Sequence, residues 1–292
     1  MTSGTGRRSA AELDVVVVGS VNLDLVARLE RLPSPGETLT SRGVTRHPGG
    51  KGANQALACA RLGATVRLVG AVGSDPLADE ALALLRSEGV DLAAVTSVED
   101  APTGTAMIQV DDHGDTTIVI DTGANGFVTT DDLAADLVLT VLEVPDEAVA
   151  AAMAAPGFTV LNAAPARAVD EAVLRTVDLL SVNDDEHAIL GRTADLDALA
   201  AVVVTHGASG ATLYRRGREV ASAEPPVVDA VDGTAAGDAF TAALALSLVE
   251  GLPDDEALTR ACAVGALTAT RAGAQPALPT LDELHAFLEA HA

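Results

Sequence analysis

Val15–Val18 form an unbroken β-branched run, and polar residues return at once in "GSVNLD". A strand buried on both faces of a parallel sheet carries such a run without alternation. The spacing therefore predicts a buried parallel strand over Asp14–Asp24. Residues 25–50 behave differently: Pro33, Pro35, Gly36, Gly43 and Pro48 interrupt short alternating pieces such as "ETLTSRG". A helical pattern follows from about Asn54 to Leu62 and is stopped by Gly63, and "TVRLVGAVG" then reads as a strand. In "DPLADEALALLRSEGV", Asp75 is placed to cap a helix, Pro76 suits its first position, and Gly89 lies past its end.

"TGTAMIQVDDHGDTTIVI" alternates on both sides of a polar turn, which predicts a β-hairpin. The strand-helix rhythm then returns, with strands near 137–142, 158–162, 178–182, 201–205 and 211–215. Long helices are expected from Gly237 to about Val249 and from about Asp254 to Thr270. Alternating βαβ units imply an α/β fold, a mostly parallel central sheet flanked by helices. Two β-rich insertions, 22–50 and 102–122, do not fit that sheet and are expected to form a small β-sheet lid. The core would then comprise 13–21, 51–101 and 123–292. Residues 1 to about 12 read as a loose polar leader.

Composition narrows the function. Of 292 residues 48% are hydrophobic but only 2% aromatic, so the core must be built from Ala, Val and Leu. A net charge of −24 repels phosphate backbones and anionic lipid, which argues against nucleic-acid and membrane partners. The "VVVVG" run is too short for a signal segment or a membrane span. Cys59 and Cys262 have no CxxC or metal-ligand spacing, as expected of small core residues in a reduced, cytoplasmic protein.

Chemistry gathers at the ends of the apolar runs. "DGTAAGDAF" is a small-residue turn opening into a helix, and free N–H groups at such a start attract an anion. Asp238 in the first turn could accept the proton of an attacking hydroxyl beside that anion; from this segment alone it is equally a simple N-terminal helix acid. "GGKGAN" is not a Walker A loop, and "GSVNLD" is not GxGxxG. Lys51 is the single lysine among 18 basic residues. With Asn54 it makes "GGKGAN" either a close-approach loop for a polyhydroxylated ligand or an ordinary strand-to-helix turn. Asn22 and Asp24 follow the first strand, where open α/β sheets bind ligands, and an amide with a carboxylate suits sugar hydroxyls. Both residues are also common turn formers. "SVNDDEHAILG" and "VVVTHGASG" repeat the polar cluster after an apolar strand.

With "HPGGKGANQALACARLGA", "TGANG", "NAAPAR", "VNDDE", "THGASG", "DGTAAGDAF" and "TRAGAQPALP", the sequence resembles the ribokinase family of carbohydrate kinases over about residues 14–290. The resemblance implies a ribokinase-like fold and ATP-dependent phosphorylation of a sugar, D-ribose giving D-ribose 5-phosphate and ADP. It further implies Asn22, Asp24, Gly50, Lys51, Asn54 and Glu143 as the sugar set, with Asp238 as base. Ala235, Ala236 and Gly237 would form the anion hole. Asn183, Thr205, Gly207 and Gly210 would bind ATP, and Glu186 would help place Mg²⁺ and phosphate. Asp232, Thr234, Arg271, Gly273 and Ala277 match a site for a monovalent cation such as K⁺. The insertions match a lid through which the family forms a homodimer.

Three positions depart from the family pattern: Gly233 stands where Thr is usual, Ala277 where Ser is often found, and "GRTADLDALAAVVVTHG" leaves only about two turns for a normally longer helix. Related kinases of deoxyribose, fructose, adenosine or pseudouridine are the alternative. A sugar-binding protein that keeps the fold without catalysis is a further one, against which the intact Asp238 and Gly237 stand.

Overall fold

The structure, a computed structural model, describes residues 7–113 and 115–291. Strand β1 (Asp14–Val18) lies inside the main sheet, and its valines divide between the two faces. Val15 and Val17 join one apolar cluster, Val16 and Val18 the other, and all four are fully buried. The strand predicted to continue to Asp24 instead breaks at Gly19–Val21. Its second half, β2 (Asn22–Arg28), leaves for a separate sheet with β3 (Gly43–Gly49). The break puts Asn22 and Asp24 at the crossing between the two sheets.

Helix α1 (Lys51–Arg61) begins three residues before the expected start, with Lys51 as its first residue. It packs directly on the end of β1: a Cβ at Gly52 would lie 2.4 Å from the Gly19 Cα. Only two glycines permit that approach, and it brings the Lys51 loop over the strand end.

The chain continues through β4 (Thr65–Gly73), α2 (Pro76–Ser87) and β5 (Val95–Val98) to the hairpin β6 (Gly104–Val110) and β7 (Thr116–Asp121). Asp75 caps α2 by accepting from the N–H groups of Leu77 and Ala78, as its sequence predicts. The hairpin completes a four-stranded sheet in the order β3-β2-β6-β7. Thereafter β8 (Leu137–Val141), α3 (Asp146–Met153), β9 (Phe158–Asn162), α4 (Glu171–Leu174), β10 (Leu179–Asn183), α5 (Asp184–Leu190) and β11 (Val202–Thr205) restore the βα alternation.

The main sheet has nine strands, ordered β13-β12-β11-β10-β9-β8-β1-β4-β5. Its last two, β12 (Ala211–Arg215) and β13 (Arg218–Ala223), are antiparallel to their neighbours. The sequence reading did not anticipate β13; Arg216 and Gly217, both at positive φ, make the tight turn that joins the pair. Helices α6 (Ala236–Glu250), α7 (Asp254–Ala269) and α8 (Leu281–Ala290) close the chain. Buried Ala242, Ala243, Ala261 and Ala263 belong to the same cluster as Val15 and Val17, so small residues fill a core in which Phe240 is the buried aromatic among the described residues.

Two further expectations need correction. Leu196–Ala198 form a single 3₁₀ turn rather than a two-turn helix, because the segment between Asp195 and β11 is too short for more. Of the polar leader, residues 1–6 lie outside the described residues. Ser9 caps a 3₁₀ turn over Ala10–Glu12, and Ala10 is buried. No described helix is long and apolar enough to cross a membrane.

Candidate active site

The carboxyl ends of the parallel strands and the small sheet enclose a cavity of about 620 Å³. From the sequence-predicted residues, Asp24, Lys51, Asn183, Glu186, Thr205 and Asp238 line it, as do Asp232, Thr234, Ala235, Gly237 and Gly273. Asn22 and Glu143 line an adjacent cavity of about 500 Å³. Gly50 and Asn54 lie behind the wall, Gly50 preceding α1 and Asn54 within it. Ala236, Gly207, Gly210, Arg271 and Ala277 do not line the main cavity. Arg271 pairs with Glu283 at 2.7 Å, and Ala277 is fully buried.

Ala235 precedes α6 with φ 61° and ψ 2°, a left-handed conformation that costs a non-glycine residue about 1 kcal/mol. The Ala236 N–H turns back onto the Gly233 carbonyl at 3.2 Å, while Ala235 and Gly237 line the cavity at the start of α6, where the helix dipole favours an anion. Asp238 in that first turn is buried, at 6% exposure. Its Oδ2 accepts from Asn54 Nδ2 at 2.9 Å; its Oδ1 accepts from Gln55 Nε2 at 3.2 Å and Asn162 Nδ2 at 3.5 Å.

Asp24 offers the opposite environment. Its carboxylate sits against Gly49, where a Cβ would lie 2.1 Å from Oδ2, and its buried Oδ1 has no partner among the described residues. Burial, with the nearby charges of Glu143 and Asp238, pushes its pKa up to about 7 despite Lys51. Asn54 Oδ1 is likewise buried and unpartnered. The orphaned acceptor on the cavity wall, Asp24 Oδ1, calls for a ligand that brings a hydroxyl donor.

Lys51 stands among acids. Burial alone would lower its pKa, but Asp238, Glu143, Glu186 and Asp24 together raise it. Burial raises Glu143, while Lys51 and the hydroxyl of Ser20, which donates to Oε2, pull it back. Glu186 is raised by burial against the N–H of Asn183 and the charge of Lys51. Asn183 and Glu186 cap α5 reciprocally: Glu186 Oε2 accepts from the Asn183 N–H at 2.9 Å, and Asn183 Oδ1 from the Glu186 N–H at 2.8 Å.

Asp232 is lowered although burial opposes it, because Thr234 Oγ1 donates at 2.6 Å, the N–H groups of Gly273 and Thr234 donate at 2.9 Å, and Arg28 lies nearby. At Gly233 a Cβ would meet nothing within 4 Å, so this departure from the family pattern removes no packing.

The sequence reading missed Gln55, Asn162 and Asn125. Asn125 is buried and ties the crossing together: Oδ1 accepts from the Val21 N–H at 2.9 Å and Nδ2 donates to Asn22 Oδ1 at 2.8 Å. Asn162 carries a recognisable signal, a polar residue closing the apolar strand "FTVLN". Gln55 lies one helical turn beyond Lys51 on the same face, which could have marked it.

Comparison with known proteins gives the family and the fold. The family model for pfkB family carbohydrate kinases matches residues 12–281. A ribokinase of Schizosaccharomyces pombe is 36% identical over 93% of this chain and 96% of its own. Among solved structures, a ribokinase of Thermotoga maritima superposes with a TM-score of 0.85 at 31% identity, covering 95% of this chain and 99% of the other. Arabidopsis thaliana ribokinase complexed with ribose and ATP gives 0.82 at 30% identity, again with 95% and 99% covered.

Proposed function

The chain belongs to the pfkB family of carbohydrate kinases, and from that premise we propose that it transfers the γ-phosphoryl group of ATP to the 5-hydroxyl of D-ribose. The observation that carries the substrate class is the orphaned buried acceptor Asp24 Oδ1 in the cavity that Asp238 also lines. The ribokinase relatives and the ribose and ATP complex of the plant protein support ribose and ATP as the pair. No Phe, Tyr or Trp lines the main cavity among the described residues, which favours a free sugar over a nucleoside needing a stacking partner.

In this reading Asp24, Asn54 and Lys51 hold the sugar hydroxyls, with Asn22 and Glu143 at the far side. Asp238 takes the proton of the 5-hydroxyl as its oxygen bonds to the γ-phosphorus, and ADP leaves with the electron pair. The backbone N–H groups of Ala235 and Gly237 receive the charge of the transferring group, and that of Ala236 joins them only by leaving the Gly233 carbonyl. Thr205, Asn183 and the loop at Gly207–Gly210 hold the nucleotide.

The wall sets Asp24, Glu186, Asp232 and Asp238 against Lys51 and Arg28, so an anionic nucleotide calls for added cations. The donors fit: Glu186 makes its hydrogen bond through Oε2 and can offer Oε1, and Asp232 stays ionised beside Thr234. Glu186 would hold Mg²⁺ with the phosphates, and Asp232 with backbone oxygens of Arg271 and Gly273 would hold K⁺. These ions would neutralise charge on the phosphoryl group during transfer.

The small sheet acts as a lid that excludes water. Val44, Met107 and Val119 are exposed on its outer face and support pairing with a second copy as a homodimer. The test is ADP release from ATP and Mg²⁺ across a panel of sugars and nucleosides, in Na⁺ and in K⁺. D-Ribose should give the highest kcat/KM, greater in K⁺. Turnover with another substrate alone would overturn the specificity.

A further inference from the structure

Gln55 is fully buried in α1, yet its Nε2 reaches Asp238 Oδ1 at 3.2 Å. Asn162, from the end of β9, donates to the same oxygen at 3.5 Å. Asn54 donates to the other oxygen, Oδ2, at 2.9 Å. A carboxylate oxygen has two lone-pair directions. Oδ1 is therefore filled by two amides, while Oδ2 keeps one direction open. We propose that Gln55 is a positioning residue for phosphoryl transfer: by occupying Oδ1 together with Asn162, it leaves Oδ2 as the oxygen that takes the hydroxyl proton.

The inference rests on Asp238 being the base. In the step, the sugar O–H bond breaks and its proton goes to Asp238 Oδ2. The freed oxygen bonds to the γ-phosphorus of ATP, and the bond to the β,γ-bridging oxygen breaks with its electron pair on ADP. Gln55 is fully buried and does not line the cavity. It acts through the carboxylate, fixing its rotation so that the open direction meets the hydroxyl rather than the α6 backbone.

Among the described residues the Gln55 side chain makes no hydrogen bond but the one to Asp238. Its Oε1 is buried without a partner, so an apolar residue of equal length would relieve an unsatisfied acceptor. A merely structural glutamine would therefore be replaced by methionine with little loss.

The experiment measures kcat and sugar KM for Gln55→Met, Asn162→Ala and Gln55→Glu, with thermal unfolding in parallel. Gln55→Met should lower kcat about 10- to 100-fold, the loss expected when a reacting group is misaimed, with sugar KM within about threefold. Asn162→Ala should act in the same direction. Gln55→Glu keeps the volume but sets a second carboxylate against Asp238. The pair then shares a proton, and the acid limb of the pH–rate profile should move to higher pH. That movement is a readout packing alone would not give.

A folded Gln55→Met with wild-type kcat overturns the inference, as does a uniform rise in KM with kcat intact. If Gln55→Met does not fold, an unmoved acid limb in Gln55→Glu overturns it. The parent reading fails separately: Asp238→Asn retaining turnover would discard Asp238 as base, whatever the Gln55 variants do.

Discussion

Two buried carboxylates in one cavity are prepared in opposite ways. Asp238, in the first turn of α6, receives three amide N–H groups at 2.9, 3.2 and 3.5 Å. Asp24, on strand β2, receives none at Oδ1, and its pKa is pushed up to about 7, chiefly by burial. The α6 side of the site is complete before any ligand arrives. The small-sheet side is completed by the ligand itself. A group that must react is held in place beforehand, and a group that must bind is left short of partners.

Removing the prepared carboxylate should have the largest effect. Asp238→Asn keeps the shape but not the base, and kcat should fall by about 10³-fold, read by ADP release at saturating ribose. Asp24→Asn should act on binding instead, raising the ribose KM about 10- to 100-fold for the lost charged hydrogen bonds. It also changes stability with pH. The folded pKa of Asp24 lies above its ordinary value of 3.8, so ligand-free protein holds that proton more tightly than unfolded chain. The stabilisation is full below about pH 4 and disappears as pH rises through about 7. The melting temperature of the wild type should therefore fall relative to Asp24→Asn across that window.

Ala235→Gly sharpens the prepared side more gently. It removes the left-handed strain of about 1 kcal/mol and adds chain entropy of similar size, so the melting temperature should move by only a few degrees. The looser turn should still lower kcat several-fold. The smallest effect belongs to the rim of the small sheet, where Arg42 pairs with Asp112 at 2.6 Å in the open. Arg42→Ala should change stability by less than about 1 kcal/mol and leave kcat alone.

The sequence made some of this contrast legible and hid the rest. Asp238 and Asp24 could be singled out because each follows a small-residue turn or an apolar run. The supporting amides could not: Gln55 and Asn162 meet Asp238 across 183 and 76 residues of chain, a proximity no local pattern carries. For β2 the limit is one of boundary: Asn22–Asp24 read both as the tail of β1, because Val21 and Leu23 continue the apolar run, and as the start of the 22–50 insertion. Pairing with β3 and β6 assigns them to the second sheet. Strand β12 is legible at 211–215, but β13 is not, for a different reason: the Arg-Arg-Gly-Arg turn between them lacks the Asn-Gly or Asp-Gly signature.

Calorimetric titration of D-ribose into Asp24→Asn and Asp238→Asn tests the division of labour most directly. The account predicts that Asp238→Asn binds ribose within about threefold of wild type while Asp24→Asn loses about tenfold or more. The reverse order, with ribose bound through Asp238 and indifferent to Asp24, would contradict it.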